Sequence, residues 1–377
     1  MTILIKLARL FLQFLYEIIK ILPTKNKIVM LSRQANKANI DFLLLEKELK
    51  KDFQIVILCK TLENREKATL WHLFIYFFHM IRQMFHLATS KVAILDSYCI
   101  VVSLLKHKKQ LQVIQIWHSI GTMKLFGYSA LGTKEGSSVK FSKIMHMHDN
   151  YDYVFASSYA YANHLAAGFN CSIDKVKIYP LPRVDLLKDA AYQENLRNNI
   201  YSHYPQLKER KNTVYCPTFR KEGEHSQIYI KKLYDSIPED YNFIVKLHPL
   251  SKVVLNDMNF YTCDEFTTSQ LFSIANAVIS DYSCAVYEAA IMNIPVYFYA
   301  YDLQEYINNR GLAIDYKREL PGTISGDADK IISDIVNKPY DYNKLYTFCH
   351  KYVKETTNAT KDIGEFIREI VREKNEL

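Results

Sequence analysis

The sequence has no CxxC pair. Its seven cysteines, Cys59, Cys99, Cys171, Cys216, Cys263, Cys284 and Cys349, are odd in number and scattered. A zinc framework therefore lacks its ligand spacing and a disulfide scaffold its pairing. Reduced thiols in a cytosolic compartment are the natural reading, and the sequon Asn358-Ala359-Thr360 is then a chance match, because glycosylation needs a secreted chain. No GxGxxG follows the first apolar run, which removes the usual support for a nicotinamide cofactor. A Walker A lysine loop and a GxSxG elbow are missing too. No nucleic-acid module is recognisable and the lysines are scattered, so the formal net charge of +8 points to phospholipid headgroups, nucleotides or phosphorylated substrates rather than nucleic acid. The chain has no internal repeat and no low-complexity tract.

Nor does it have an uninterrupted apolar span. Residues 3–22 look like one until Lys6, Arg9, Gln13, Glu17 and Lys20 are placed. Their spacing of 3, 4, 4 and 3 makes a single polar stripe on a helix, with Leu7, Leu10, Phe11, Phe14 and Ile18 among the residues covering the rest. Four charges in hydrocarbon would cost a few kcal/mol each, and a signal peptide would not carry Arg9 and Glu17 in its apolar region. The pattern predicts a helix lying in the headgroup layer, with docking on the protein's own core as the other reading. Residues 70–88 repeat the theme, with His72, His79, Arg82, Gln83 and His86 on one side, as a second interfacial helix or a buried crossover helix. Without a carboxylate beside them, the three histidines are not read as a metal site. His146 and His148, near Asp149, are read as solvated or capping residues.

What is present is ample for a core. With 377 residues and 49% hydrophobic content, two domains are expected. The 28 tyrosines suit a half-wet cleft as well as a tyrosine-rich core. Short β-rich runs, Ile28–Leu31, Gln54–Cys59, Val92–Leu95, Gln112–Trp117, Tyr153–Ala156 and Val176–Tyr179, alternate with helical patterns such as Ile40–Lys51 and Tyr159–Gly168. A second series follows: Thr213–Cys216, Phe243–Leu247, Phe260–Cys263, Ala277–Ser280 and Pro295–Tyr299. This is the βαβ signature of doubly wound parallel sheets. The expected division is a membrane-association helix over 1–22, a first Rossmann-like domain over 23–185, a second over 186–345, and a helical tail over 346–377 that packs back. Gly132–Lys140 is a candidate mobile loop.

Polar clusters mark the ends of these runs, where open α/β sheets keep their ligand crevices. Ile114–Ile116 leads into Trp117-His118, then a loop with Gly121 and Lys124. Tyr215-Cys216-Pro217-Thr218-Phe219-Arg220 ends a run with a hydroxyl and a guanidinium, whose planar fork suits phosphate oxygens. Lys246 and His248 alternate onto one side of a strand that Pro249 stops. Ser280-Asp281-Tyr282-Ser283 opens a helix containing Glu288; Ser283 near its start fits either an anion site or a plain N-cap. Imidazole 118 and the later cationic and hydroxyl groups are expected to converge on one diphosphate-sized opening.

Together, and in this order, Trp117-His118 with Gly121 and Lys124, Leu181-Pro182-Arg183-Val184-Asp185, Pro217-Thr218-Phe219-Arg220, Lys246-Leu247-His248-Pro249, Ser280-Asp281-Tyr282-Ser283 and Pro295–Tyr299 followed by Tyr301-Asp302 and Arg310-Gly311-Leu312 resemble the CDP-glycerol glycerophosphotransferase family of wall teichoic acid synthesis. The resemblance implies a two-domain GT-B fold, peripheral attachment to the cytoplasmic face of the membrane, and CDP-linked polyol phosphate donors. It assigns His118 as the general base and His248 as a second catalytic residue. Arg220, His248 and Ser283 would hold the donor's phosphates, Asp281 would shape the turn and Glu288 would meet the ribose. Thr218, Lys246, Lys124 and Arg183 complete the substrate-binding set. Ser119-Ile120-Gly121 replaces the Gly-Thr-Pro of the long polymerases, closer to the short primase-like members, and Cys284 stands where relatives often carry a second serine.

The reaction expected from this resemblance is transfer of glycerol phosphate from CDP-glycerol to a hydroxyl of an undecaprenyl-diphosphate-linked saccharide, releasing CMP, at an anionic membrane surface, with no cofactor and no metal. A CDP-ribitol phosphotransferase, a GT-B glycosyltransferase using a nucleotide sugar, and a non-catalytic membrane scaffold with a degenerate nucleotide site are the alternatives.

Overall fold

The computed structural model describes residues 2–61, 69–220, 223–247, 251, 253 and 258–376. The chain forms two units. Met1–His118, Phe126–Arg183 and Asn358–Leu377 make the first; Ser119–Leu125 and Val184–Thr357 make the second.

The first unit is built on six parallel strands: β1 (Lys27–Ser32), β2 (Gln54–Cys59), β3 (Val92–Leu95), β4 (Gln112–Gln115), β5 (Tyr153–Ala156) and β6 (Val176–Ile178). Their order in the sheet is β2-β1-β3-β4-β5-β6. Every residue of β1, β3 and β4 is buried, as the near-continuous apolar runs require of strands covered on both faces. Crossover helices follow the strands, and their starts are written in the sequence. Asn39 caps Ile40–Leu49 by accepting from the Phe42 amide, and Ser158 caps Tyr159–Phe169 through the Tyr161 amide. The second helix closes on Asn170 in the left-handed region at φ 52°. The chain leaves β1 on one side of the sheet and β3 on the other, so the crevice for a ligand lies beyond the C-terminal ends of those two strands.

The second unit repeats the topology. Strands β7 (Lys211–Tyr215), β8 (Tyr241–Val245), β9 (Ala277–Ser280), β10 (Val296–Tyr299) and β11 (Ile324–Ser325) run parallel in the order β11-β10-β9-β7-β8. Its switch point falls between β7 and β9. The expected strand at Phe260–Cys263 reduces to one parallel bridge between Tyr261 and Ile244, and Cys263 turns the chain at φ 44°. β11 escapes sequence reading because it has only two residues.

The helix Thr2–Ile19 lies on the first unit, where it packs against Leu70–Ala88. Its polar stripe is partly turned inward, with Lys6 and Glu17 left exposed. Gln13 accepts from the Lys106 amide, Lys20 donates to the Lys106 carbonyl, Tyr16 bonds His107 and Arg9 bonds His146. Leu12, Leu15 and Ile19 also pack on the core, while the rest of the apolar surface faces outward, with Leu10 66% and Phe14 64% exposed; on the neighbouring helix Trp71 is 65% exposed. Among the described residues no helix is long and apolar enough to cross a membrane.

Candidate functional site

Strand β4 stops at Gln115, two residues short of the expected end. Trp117 takes a left-handed backbone at φ 61°, a conformation that costs a non-glycine residue about 1–2 kcal/mol. Ring contacts hold it there: Phe126 stacks at 5.0 Å, Phe169 meets it edge-on at 5.1 Å, and its amide donates to the Gln115 side chain at 2.9 Å. The turn brings the His118 ring alongside β3, where Nδ1 lies 2.9 Å from the Asp96 carbonyl. A carbonyl only accepts, so Nδ1 carries the proton and Nε2 is the basic nitrogen. The side-chain amide nitrogen of Gln34, two residues past β1, lies 3.2 Å from the same Nδ1; with the proton on Nδ1 this is a contact and not a hydrogen bond.

Around this imidazole the switch point of the first sheet is polar. Asp96 is fully buried; its carboxylate accepts from Asn39 at 2.7 Å and Ser97 at 2.8 Å. Burial pushes its pKa up to about 6, with the charge of Asp41 adding to the rise and hydrogen bonds from Ser32, Ser97 and Asn39 opposing it. Arg183 is committed to buried Asp41: its amide, Nε and Nη2 all donate to that carboxylate, at 2.9, 2.9 and 2.5 Å. Nη2 also reaches the His118 carbonyl at 3.4 Å. The geometry makes Arg183 a brace for the His118 turn. His148, expected in solvent or at a cap, is instead buried between Phe169, Tyr98 and Tyr151, and that burial lowers its pKa to about 3.

The segment after His118 belongs to the second unit. Lys124 bridges Leu312 through the backbone, and a Cβ at Gly121 would lie 2.6 Å from the ring of Tyr287, so only glycine fits beside it. At the β7/β9 switch point Asp281 is wholly buried. It accepts from the Thr218 amide at 2.8 Å, the Tyr282 amide at 2.6 Å and Arg220 Nη1 at 2.7 Å. Arg220 lies against both acids, forking onto Asp302 at 2.6 and 2.9 Å, with Tyr301 4.7 Å from its guanidinium carbon. The Thr218 hydroxyl beside it is buried with no hydrogen-bond partner among the described residues. A narrow cavity runs along this wall, lined by Tyr215, Thr218, Arg220, Ser226, Leu247 and Tyr301. Lys246 donates to the Thr262 and Cys263 carbonyls and lies 3.6 Å from Asp264. Ser283 accepts from the Ala285 amide at 3.3 Å, and Glu288 is nearly buried in the helix Ala285–Ile291. Cys284 is half-buried, and desolvation raises its thiol pKa against the pull of Lys124. His248 lies outside the described residues.

Two sheets of one topology, each with a polar group set at its switch point, match a known architecture. The chain fits the family model of CDP-glycerol:poly(glycerophosphate) glycerophosphotransferases over residues 14–368. It belongs to that family. The teichoic acid poly(ribitol-phosphate) polymerase of Bacillus spizizenii is 31% identical over 368 residues, covering 92% of this chain; the chain in turn spans 57% of that relative's length. The teichoic acid glycerol-phosphate primase of Bacillus subtilis is 28% identical over 304 residues, 78% of this chain and 77% of its own. The fold is that of the wall teichoic acid polymerase TagF, a variant of which superposes with a TM-score of 0.77 at 17% identity over 100% of this chain and 99% of that one. The chain is thus a member of a teichoic acid phosphotransferase family with the parallel α/β sheets of a GT-B-like protein.

Sequence reasoning missed Arg33, Gln34, Asn39, Asp41 and Asp96 in the first unit and passed over the tie of Asp302 to Arg220. A signal for one of them was available: Asp96 follows the apolar run Val92–Leu95 much as Asp281 follows Ala277–Ser280.

Proposed function

We propose that the chain transfers glycerol phosphate from CDP-glycerol to a hydroxyl of a membrane lipid-linked saccharide, in synthesis of teichoic acid or a related cell-surface polymer, with release of CMP. The observation that supports this most is His118, whose Nδ1–H is tied to a backbone carbonyl at the ligand end of a parallel sheet, within a chain that fits the family model from residue 14 to 368. In the proposed reaction the acceptor oxygen attacks the glycerol-bearing phosphorus. A P–O bond forms, the P–O bond to CMP breaks and its electrons leave with CMP, while Nε2 of His118 takes the hydroxyl proton. The Thr218 hydroxyl and Lys246 meet the donor's phosphates with His248 and Ser283, and Glu288 its ribose. Arg220, neutralised by two acids, holds the Thr218 loop in shape for that task and adds only part of its charge. Lys124 adds positive charge near the helix start.

Ribitol phosphate is the second reading, favoured by the 31% identity to a relative named for poly(ribitol-phosphate). In both readings the protein sits peripherally on the cytoplasmic face. The outward apolar faces of Thr2–Ile19 and Leu70–Ala88 would enter the headgroup layer, and the net charge of +8 adds attraction to anionic lipid. The test is CMP release by purified protein given CDP-glycerol, CDP-ribitol or a UDP-sugar with a lipid-linked saccharide. Turnover of a CDP-polyol alone is expected, falling about 10²–10⁴-fold in His118→Ala with donor binding intact. Turnover of the UDP-sugar alone, or an undiminished His118→Ala, refutes the reading.

A further inference from the structure

Two of the three arginines at the switch points are already spent. Arg183 is bound to Asp41, and Arg220 to Asp281 and Asp302. Arg33 is different. It follows β1 directly, at the edge of the crevice between β1 and β3. Its amide donates to Ser97 Oγ at 3.0 Å, its Nη1 donates to the Tyr98 carbonyl at 3.0 Å, and its guanidinium carbon lies 5.8 Å from the Tyr98 ring. All of these partners are neutral. No carboxylate pairs with it among the described residues, and Nε is buried without a hydrogen-bond partner. Nε is closed to any ligand, but no carboxylate among the described residues balances the charge it shares with the terminal nitrogens, and Arg33 as a whole is half-buried, so an anion meeting those nitrogens is favoured.

Its position says which anion. Gln34, the next residue, brings its amide to 3.2 Å from His118 Nδ1. By the other route, Arg33 bonds Ser97, Ser97 bonds Asp96, and the Asp96 carbonyl takes the His118 proton. The backbone of Arg33 and the His118 ring are thus tied to the same strand ends by one short chain of contacts. A substrate that presents its hydroxyl to His118 places the groups next to that hydroxyl near Arg33. Arginine's fork favours phosphate oxygens over neutral sugar oxygens.

We infer that Arg33 binds a phosphate of the acceptor, so that the first unit selects acceptors carrying a phosphate close to the reacting hydroxyl. This rests on the reading of His118 as the base on the acceptor. The phosphate has two possible sources: a polyol phosphate unit already added to the acceptor, or the diphosphate linking the saccharide to its lipid.

Three acceptors separate them: a soluble glycoside ending in glycerol phosphate, a short-chain lipid-diphosphate saccharide without glycerol phosphate, and a neutral glycoside. Arg33→Gln is expected to raise KM by about 10–100-fold for whichever phosphate-bearing acceptor supplies the contact, with kcat little changed and KM for the neutral glycoside unmoved. Arg33→Lys recovers part of the loss, because a point charge replaces the fork. Calorimetric binding of the two phosphate-bearing compounds to wild type and Arg33→Gln gives the same comparison without turnover. Failure of the donor reaction therefore does not obscure it. An equal rise in KM for the neutral glycoside makes Arg33 structural and overturns the inference; so does unchanged affinity for both phosphate-bearing compounds.

Discussion

Replacing Arg220 by methionine isolates what its two carboxylates require. Methionine keeps much of the stem that packs near Tyr301 and Tyr282 but removes the guanidinium. Asp281 is then buried without a cation, with Asp302 close by and 19% exposed. Breaking a buried pair in this way costs about 3–5 kcal/mol, and the two carboxylates that shared the guanidinium then repel each other. The protein escapes that repulsion by keeping a proton on one of the two acids. In Arg220→Met the folded carboxylate pKa therefore rises above its unfolded value, and the folded state binds more protons than the unfolded one. Stability in the variant then falls as pH rises. Urea unfolding followed by circular dichroism should show a deficit of about 3–5 kcal/mol near pH 8 that shrinks to about half near pH 5. Adding Asp302→Asn to Arg220→Met should recover a large part of the deficit at the higher pH. A deficit below about 1 kcal/mol, or one equal at both pH values, would refute the claim that the guanidinium is committed to these acids.

Other substitutions test the loop and the outer helix. Gly121→Ala places a methyl 2.6 Å from a Tyr287 ring that stacks on Phe348 at 4.9 Å, so a loss of about 1–3 kcal/mol is expected from thermal unfolding; an unchanged Tm means the ring is not fixed. Phe11→Asp with Phe14→Asp alters two outward residues and should shift stability by no more than about 0.5 kcal/mol per site. Sedimentation with anionic vesicles should fall at least about tenfold, since each buried aromatic side chain is worth about 1.5–3 kcal/mol. Undiminished sedimentation removes the membrane-surface proposal.

The periodicity of the sequence carried the fold well for most strands. β3, β5 and β9 have the bounds that their apolar runs suggest, because a strand covered on both faces is apolar throughout, and so does β2, although it is a partly buried edge strand; the buried β1 extends one residue beyond its apolar run at each end, to Lys27 and Ser32. It failed where tertiary contacts outweigh local pattern. Trp117 reads as strand but turns left-handed, and in that conformation its ring packs on Phe126 and Phe169. The helix Thr2–Ile19 was legible as amphipathic, yet the sequence could not say which face docks. Its polar residues find Lys106, His107 and His146, all more than 80 residues away. The same distance hid the pairing of Arg183 with Asp41: both residues look available in sequence, and only the sheet brings them together.

Each sheet ends its third strand with an aspartate, and the two aspartates should respond oppositely to neutralisation. Asp281 follows β9 and is compensated by Arg220; Asp96 follows β3 and is met by neutral side chains, Asn39 at 2.7 Å, Ser97 at 2.8 Å and Ser32, with no cation paired to it among the described residues. Both are completely buried. The carboxyl of Asp96 is raised to about 6 by burial first and by Asp41 in addition. A folded pKa above the unfolded value means that the folded state binds the extra proton, so stability is lost as pH rises from about 4 to about 6 and stays lost above. With about 1.4 kcal/mol per unit, the ionised form costs about 3 kcal/mol near neutrality. Asp96→Asn removes that cost but turns an amide N–H toward Asn39 or toward the hydroxyls of Ser97 and Ser32, and a hydroxyl can reverse its bond to accept it. The variant should therefore gain about 1–2 kcal/mol at about pH 8 and nothing at about pH 4, while Asp281→Asn loses stability near neutrality because it leaves a guanidinium half-paired. If Asp96→Asn is instead weakened more at high pH than at low, the carboxylate has a cation that its neighbours here do not supply.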